Sequence, residues 1–146
     1  MLAIAVSTTR TLDAWGWIFA ISGAVCVANA LWMLAGPLHW YNGVPAAVPD
    51  TGPFNPHFVR DIGCAFLATG VALAWAAFAP HWRSALLPIA AVFLGGHALV
   101  HAYDTLSGAL DHTHWGLDAP GVYLPALLIG YAAVAQRDRM RSDGGM

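Results

Sequence analysis

Charged residues are scarce in this sequence, and two of the common charged types are missing altogether. Only 10% of its 146 residues are charged, and neither lysine nor glutamate occurs. Soluble domains carry roughly 25% charged residues, so the composition is atypical of a soluble domain. The net charge of −2 offers no clustered basic surface of the kind that nucleic-acid phosphates require. We therefore exclude nucleic acid as a partner.

Cysteine is also scarce, with two residues in the whole chain. Cys26 and Cys64 both fall inside long apolar stretches rather than in exposed loops, where structural disulfides usually form. We therefore predict no structural disulfide and interpret both cysteines as small packing residues.

Long apolar runs are what the sequence has in abundance, because 58% of its residues are hydrophobic. Four stretches approach the roughly 20 residues that a helix needs to cross a hydrocarbon core about 30 Å thick. We expect an all-α integral membrane protein, a four-helix up-down-up-down bundle in which residues 1–146 form a single transmembrane domain. The predicted helices span residues 14–35, 56–79, 84–103 and 120–136.

Capping residues support these boundaries. Asp13 is a predicted N-cap of the first helix, and Asn55 followed by Pro56 is typical of the start of the second. Asp118 is the predicted N-cap of the fourth helix, and Pro125 is expected to bend it.

The arginines predict the orientation of the chain in a bacterial inner membrane. One side, shared by both termini and the short turn near residue 82, carries five arginines, and the other side carries Arg60 alone. The positive-inside rule then makes both termini cytoplasmic and directs the long loops to the periplasm. The five arginines are Arg10, Arg83, Arg137, Arg139 and Arg141.

A cleaved signal peptide is an alternative interpretation of the first helix. The small triplet Ala28-Asn29-Ala30 resembles a cleavage site, but the hydrophobic run continues beyond it through residues 31–34. We therefore favour a permanent helix.

Two predicted helices carry polar residues on one face near the periplasmic side. His97, His101 and Asp104 form an HxxxHxxD pattern, whose i, i+4 and i+7 spacing places them on one face. His57 and Asp61 have the matching spacing on the preceding helix, continued by Cys64 at i+7. Antiparallel neighbours reach equal depth at equal distance from the surface, so we expect His57 near Asp104 and Asp61 near His101.

Ionisable residues inside a membrane cost roughly 2.5–3.5 kcal/mol each and usually serve a function. Imidazole and carboxylate groups converging from facing helices suit zinc, iron or copper. We therefore predict a transition metal ion as cofactor. Its predicted ligands are His57, Asp61, His97, His101 and Asp104.

A metal-free network remains open as an alternative, in which His–Asp pairs hold the bundle together or relay protons. A haem is disfavoured, because His97 and His101 share one face of one helix and cannot ligate opposite sides of it. In the loops, His39, His112 and His114 lie beside aromatic residues and are most simply interfacial anchors. The alternative is that His112 or His114 folds inward as a further ligand or a lid.

Residues 55–70 carry a recognisable motif at the head of the second helix, with Arg60, Gly63 and Gly70. This run resembles the corresponding part of the DoxX-like families of small four-helix membrane proteins. The resemblance implies the four-helix membrane layout, in families that are mostly uncharacterised and have some members linked to redox or thiol metabolism. It assigns no catalytic role to the histidines.

The leading hypothesis is a metal-binding inner-membrane protein, with redox or hydrolytic chemistry on a lipophilic substrate. The alternatives are a metal or proton transporter, and a structural subunit with a membrane protein partner or a second copy of the chain. Transport requires a polar path across the whole membrane, and residues 71–79 and 85–93 contain no ionisable side chain. The sequence does not decide whether the protein is an enzyme.

Overall fold

The computed structural model describes residues 11–143, with side chains through Asp138, and this part of the chain is entirely helical apart from its connecting turns. Four helices are long and apolar enough to cross a membrane, which indicates a multi-pass membrane protein. The six α-helices are α1 (Ala14–Ala35), α2 (Pro37–Gly43), α3 (Pro56–Phe78), α4 (Arg83–Ser107), α5 (His114–Leu117) and α6 (Leu124–Asp143). Arg10 lies outside the described residues, as do the side chains of Arg139 and Arg141.

Side-chain caps define the starts of α1 and α3, as predicted. The Asp13 carboxylate accepts the amide hydrogen of Gly16 at 2.6 Å. The Asn55 side chain accepts those of His57 and Phe58, both at 3.1 Å. These bonds satisfy amide groups that the first turn of a helix leaves unpaired.

The prediction for the start of the fourth spanning segment is wrong in one respect. Residues Ala119–Tyr123 form a π-helical turn before α6, and no side-chain cap bond is made there by Asp118. The backbone carbonyl of Asp118 accepts the amide hydrogen of Val122 at 2.8 Å, while the Asp118 carboxylate is buried inside the protein. Because the Asp118 side chain makes no cap bond, it is available to contact a histidine.

Glycines bring α1 and α3 into close contact. A Cβ at Gly23 would lie 2.9 Å from the Gly70 carbonyl oxygen, and one at Gly70 would lie 2.9 Å from the Gly23 carbonyl oxygen. Such approach of two backbones is possible only for residues without side chains. Gly70 is therefore a close-packing position between α1 and α3. Gly95 and Gly96 on α4 make no such approach, because a Cβ added at either would meet no neighbour within 4 Å.

The four long helices associate mainly as two pairs. α1 packs most extensively on α3, and α4 packs on α6, with a smaller contact between α3 and α4. Buried side chains such as Phe19, Leu73 and Ile129 fill the centre. Toward the end that carries the long loops, the two pairs leave a space between them.

A buried arginine closes the opposite end of the molecule. Arg83 donates two hydrogen bonds to the carboxylate of Asp13, at 2.7 and 2.6 Å, and a third to the Ala76 carbonyl at 3.0 Å. Its guanidinium also lies over the Phe19 ring, 5.3 Å from the centroid. One side chain therefore joins the ends of α1, α3 and α4.

Candidate functional site

A cavity of about 1000 Å³ lies between the two helix pairs and is lined by all four long helices. Most of its wall is apolar, with Val25, Phe66, Leu94 and Ile129 among the lining side chains. Protein sites for small molecules commonly have volumes of roughly 300–1,000 Å³, so this cavity is at the upper end of that range.

Polar side chains line the cavity toward the end that carries the long loops. His97, His101 and Asp104 all contribute to its wall from α4, so the prediction that they share one face is confirmed. Asn29 on α1 and Asp118 add to the same wall. The Asn29 carbonyl accepts the indole hydrogen of Trp40 at 2.8 Å, which fixes this amide at the rim.

The predicted partners of these residues on α3 are elsewhere. His57 and Asp61 lie outside the cavity, with side chains 87% and 61% exposed, and contact each other at 3.3 Å. The buried stripe of α3 runs through Val59 and Gly63, which are offset by two residues, or about 200° at 3.6 residues per turn. The glycine contact with α1 thus turns His57 and Asp61 away from α4, and the expected His57–Asp104 and Asp61–His101 pairs do not form.

The partner of His101 is Asp118, for which the sequence predicts only the role of a helix cap. Nδ1 of His101 lies 2.8 Å from Oδ2 of Asp118. The Asp118 side chain is completely buried, and that of His101 is 18% exposed. A buried carboxylate at this distance fixes the orientation of the imidazole. An ionised carboxylate can only accept hydrogen bonds, so with Asp118 ionised the ring carries its hydrogen on Nδ1 and Nε2 is left as the acceptor.

His114 lies on the other side of the same carboxylate. Its ring is buried, with Nδ1 3.6 Å from Oδ2 of Asp118 and Nε2 3.3 Å from Oδ2 of Asp50. His114 therefore folds inward, as one of the alternatives expects, and it contacts carboxylates, whereas His112 is exposed. A role of His114 as a metal ligand or a lid stays a prediction. The single turn of α5 carries His114 inward, and the sequence pattern of so short a helix gives little warning of it.

His97 lies in a more apolar part of the cavity wall, between aromatic side chains. Its ring stacks on Phe93 at a centroid distance of 6.0 Å and meets the edge of Phe66 at 5.5 Å. It also lies 4.6 Å from the His101 ring, between centroids. His97 is thus held by aromatic packing next to a histidine that is held by a carboxylate.

Among residues 11–143, no three histidine, cysteine or aspartate side chains are grouped closely enough to hold a metal ion.

Arg60 does not pair with Asp104, Asp111 or Asp118 but donates to the Leu34 carbonyl at 3.4 Å. In the loop before α5, Asp111 accepts the Thr113 amide hydrogen at 2.8 Å, and this bond holds the pKa of the Asp111 carboxyl below its ordinary value. The described polar contacts near the cavity therefore centre on Asp118.

Residues 15–113 match the model of a protein family described as a domain of unknown function, DUF4345. The chain belongs to this family. The matched range includes Asp50, His97 and His101 and ends just before His114 and Asp118. No curated protein and no solved structure matches the chain. A small membrane protein is consistent with this family, and the resemblance to the DoxX-like families stays a prediction.

Proposed function

We propose that this protein binds a lipophilic molecule in the interhelical cavity and exchanges a proton with the polar end of that molecule through His101. The observation that carries the proposal is the His101–Asp118 pair, at 2.8 Å, in the wall of a mostly apolar cavity of about 1000 Å³. Buried ionisable groups in a membrane protein are expensive, so their presence at a cavity favours a functional role.

The chemistry follows from the arrangement of the pair. Asp118 accepts the Nδ1 hydrogen of His101, so Nε2 of the ring is free to accept a hydrogen from a bound hydroxyl or to return it. The buried carboxylate then stabilises the imidazolium that forms. Proton exchange at a hydroxyl or an enolisable carbonyl is the reaction class that this pair supports, in an enzyme or in a binding protein.

The proposed setting is a bacterial inner membrane, with the four long helices in an up-down-up-down arrangement and both termini in the cytoplasm. The polar end of the cavity then faces the periplasm. Lipid covers the exposed apolar faces of α4 and α6, where large side chains such as Val92, Leu99 and Leu127 are exposed. A membrane protein partner or a second copy of the chain remains a prediction.

Two matched probes test the proposal. 4-Dodecylphenol and dodecylbenzene differ only in the hydroxyl, and binding of each to the purified protein is measured by quenching of tryptophan fluorescence. We expect His101→Leu to weaken binding of the phenol about tenfold, or 1.4 kcal/mol, and to leave dodecylbenzene unaffected. His57→Leu, which alters an exposed histidine outside the cavity, is the matched control and should change neither affinity.

Equal affinities of both probes in all three proteins would contradict the proposal. Such a result would leave an apolar cavity without a functional polar end.

Metal binding is the second candidate, in a narrower form than the sequence predicts. It rests on two adjacent imidazoles, because the His97 and His101 ring centroids lie 4.6 Å apart. No third histidine, cysteine or aspartate among residues 11–143 is grouped closely enough with them, so the remaining ligands would come from water or from the bound molecule. Copper, iron or zinc held there would act as a Lewis acid on the same bound molecule. Elemental analysis of the wild type and of the His97→Ala/His101→Ala double variant tests it, and equal, negligible metal in both would reject it.

A further inference from the structure

The His101–Asp118 pair is one end of a longer series of side chains. From His101 the contacts continue to Asp118 at 2.8 Å, then to His114 at 3.6 Å, and then to Asp50 at 3.3 Å. The residues between the two ends are buried, whereas the Asp50 side chain is 62% exposed. The series therefore begins in the cavity wall and ends in water.

The geometry points to a proton path that connects His101 to external water through Asp118, His114 and Asp50. This inference rests on the proposed function for the source of the proton, and it assigns two residues, His114 and Asp50, to the same site. Neither of them lines the cavity wall, so their part is to transfer the proton onward.

The transfer balances without any oxidant or reductant. Nε2 of His101 takes the proton of the bound hydroxyl, and the Nδ1 hydrogen of His101 moves to Oδ2 of Asp118. That proton passes to Nδ1 of His114, whose Nε2 hydrogen moves to Asp50 and from there to water. One proton leaves the ligand, one enters water, and reversal of the sequence returns each ring to its starting form.

One buried atom supports this path. Nδ1 of His114 has no hydrogen-bond partner among the described residues and lies 3.6 Å from Oδ2 of Asp118. A buried polar atom without a partner is costly, so its retention beside a titratable carboxyl group favours a role. The 3.6 Å gap between His114 and Asp118 must shorten for transfer, and among residues 11–143 no competing hydrogen bond holds Nδ1 of His114 back.

Other titratable groups surround the path. They are His97 and Asp104 on α4, Asp111 and His112 in the loop before α5, and Tyr123 in the π-helical turn. None of these side chains is hydrogen-bonded to His114 or Asp118 in the described part of the chain. The Asp50 link is thus the direct connection from His114 to the surface.

The test measures proton exchange at His101 without any ligand, so that it does not depend on the proposed function. The whole protein, labelled with ¹⁵N-histidine and held in lipid nanodiscs, gives the rate at which the Nδ1 hydrogen of His101 exchanges with water. The resonance is assigned by its loss in His101→Gln. We expect Asp50→Asn to slow this exchange at least tenfold, and formate to restore it in Asp50→Ala.

Two controls separate transfer through Asp50 from mere positioning of its loop. Tyr41→Phe removes the 2.6 Å bond from the Tyr41 hydroxyl to the Gly52 carbonyl, which anchors the same loop, and leaves Asp50 intact. Asp111→Asn removes a neighbouring exposed carboxylate. Neither should slow exchange.

An unchanged rate in Asp50→Asn, or equal slowing in Tyr41→Phe, would overturn the path. The probe-binding result for His101→Leu would stand in either case. Failure of the probes to bind, with slowed exchange in Asp50→Asn, would instead reject the proposed function and retain the path.

Discussion

The charged residues of this protein differ in how deeply they are buried and in which side chains they contact. Asp118 is fully buried between two imidazoles, whereas Asp61 remains exposed beside His57. Arg83 is buried as well, and its charge is met by Asp13 at the end of the molecule remote from the cavity. A buried charge with one partner is vulnerable to loss of that partner, because the remaining charge is left uncompensated.

Removal of the Asp13 carboxylate should therefore destabilise the protein. The hydrogen bonds from Arg83 are the main reason that the pKa of Asp13 lies below its ordinary value of 3.8. A lowered pKa in the folded state contributes stability above the unfolded pKa, and this contribution is lost as the pH falls through the folded value. We expect Asp13→Asn to cost about 1–2 kcal/mol at pH 7, a modest figure because Asp13 is half exposed.

Thermal unfolding of the wild type and of Asp13→Asn between pH 3 and pH 7 provides the measurement. The difference between them should shrink below about pH 4, where the stability that the charged carboxylate contributes begins to be lost. Asp111→Asn changes an exposed carboxylate that pairs with no arginine among the described residues, and its amide oxygen can still accept the Thr113 hydrogen, so it should cost less than Asp13→Asn at neutral pH. A constant difference between wild type and Asp13→Asn across the range would contradict a role for the Asp13 charge.

The sequence predicts the ends of the helices more accurately than the face that each helix buries. The first two predicted spans, 14–35 and 56–79, differ from α1 and α3 by at most one residue, because clear caps and prolines mark their ends. The fourth begins with a π-helical turn, a local irregularity that hydropathy does not encode. The predicted rotation of α3 was wrong, because it directs the polar residues inward, whereas the small residues of α3 form the contact with α1.

Small residues thus give better information than polar ones on which face of these helices is buried. Gly70 on α3 meets Gly23 on α1 at backbone distance, while His57 and Asp61 sit near the start of α3, where exposed polar groups can reach the membrane surface. On α4 the polar residues His97, His101 and Asp104 do share the face that the spacing predicts, and no glycine contact competes with it. The partner of His101 could not be predicted, since Asp118 comes from a segment whose fold depends on the turn before α6.

Gly70→Ala tests the contact between α1 and α3. The new methyl group would lie 2.9 Å from backbone atoms of α1 and force the two helices apart. We expect a loss of about 1–3 kcal/mol, measured as a lower thermal midpoint of the detergent-solubilised protein. Gly95→Ala is the matched control on α4, where the added methyl meets nothing within 4 Å.

A helix-stabilising effect of about 0.5–1 kcal/mol is expected for Gly95→Ala. Equal stability of Gly70→Ala and Gly95→Ala would show that the glycine contact does not hold α1 against α3.

At the scale of the whole molecule, the two ends have different chemistry. One end joins α1, α3 and α4 through the Arg83–Asp13 pair, and the other carries the cavity mouth, His114 and Asp50. The proposed orientation places the arginine-rich end in the cytoplasm, since the positive-inside rule counts basic residues and gives acidic ones little influence. Asp50 then contacts the periplasm, and the proton path opens to that compartment.

Labelling of single cysteines decides this orientation. In a Cys26→Ala/Cys64→Ser background, which removes both native cysteines, Thr51→Cys lies beside Asp50 and His81→Cys lies in the short turn before α4, both at exposed positions. A membrane-impermeant maleimide applied to intact spheroplasts should modify Thr51→Cys, and should modify His81→Cys only after permeabilisation. The reverse pattern would invert the chain, so that His101 would exchange protons with the cytoplasm, although each contact along the path would be unchanged.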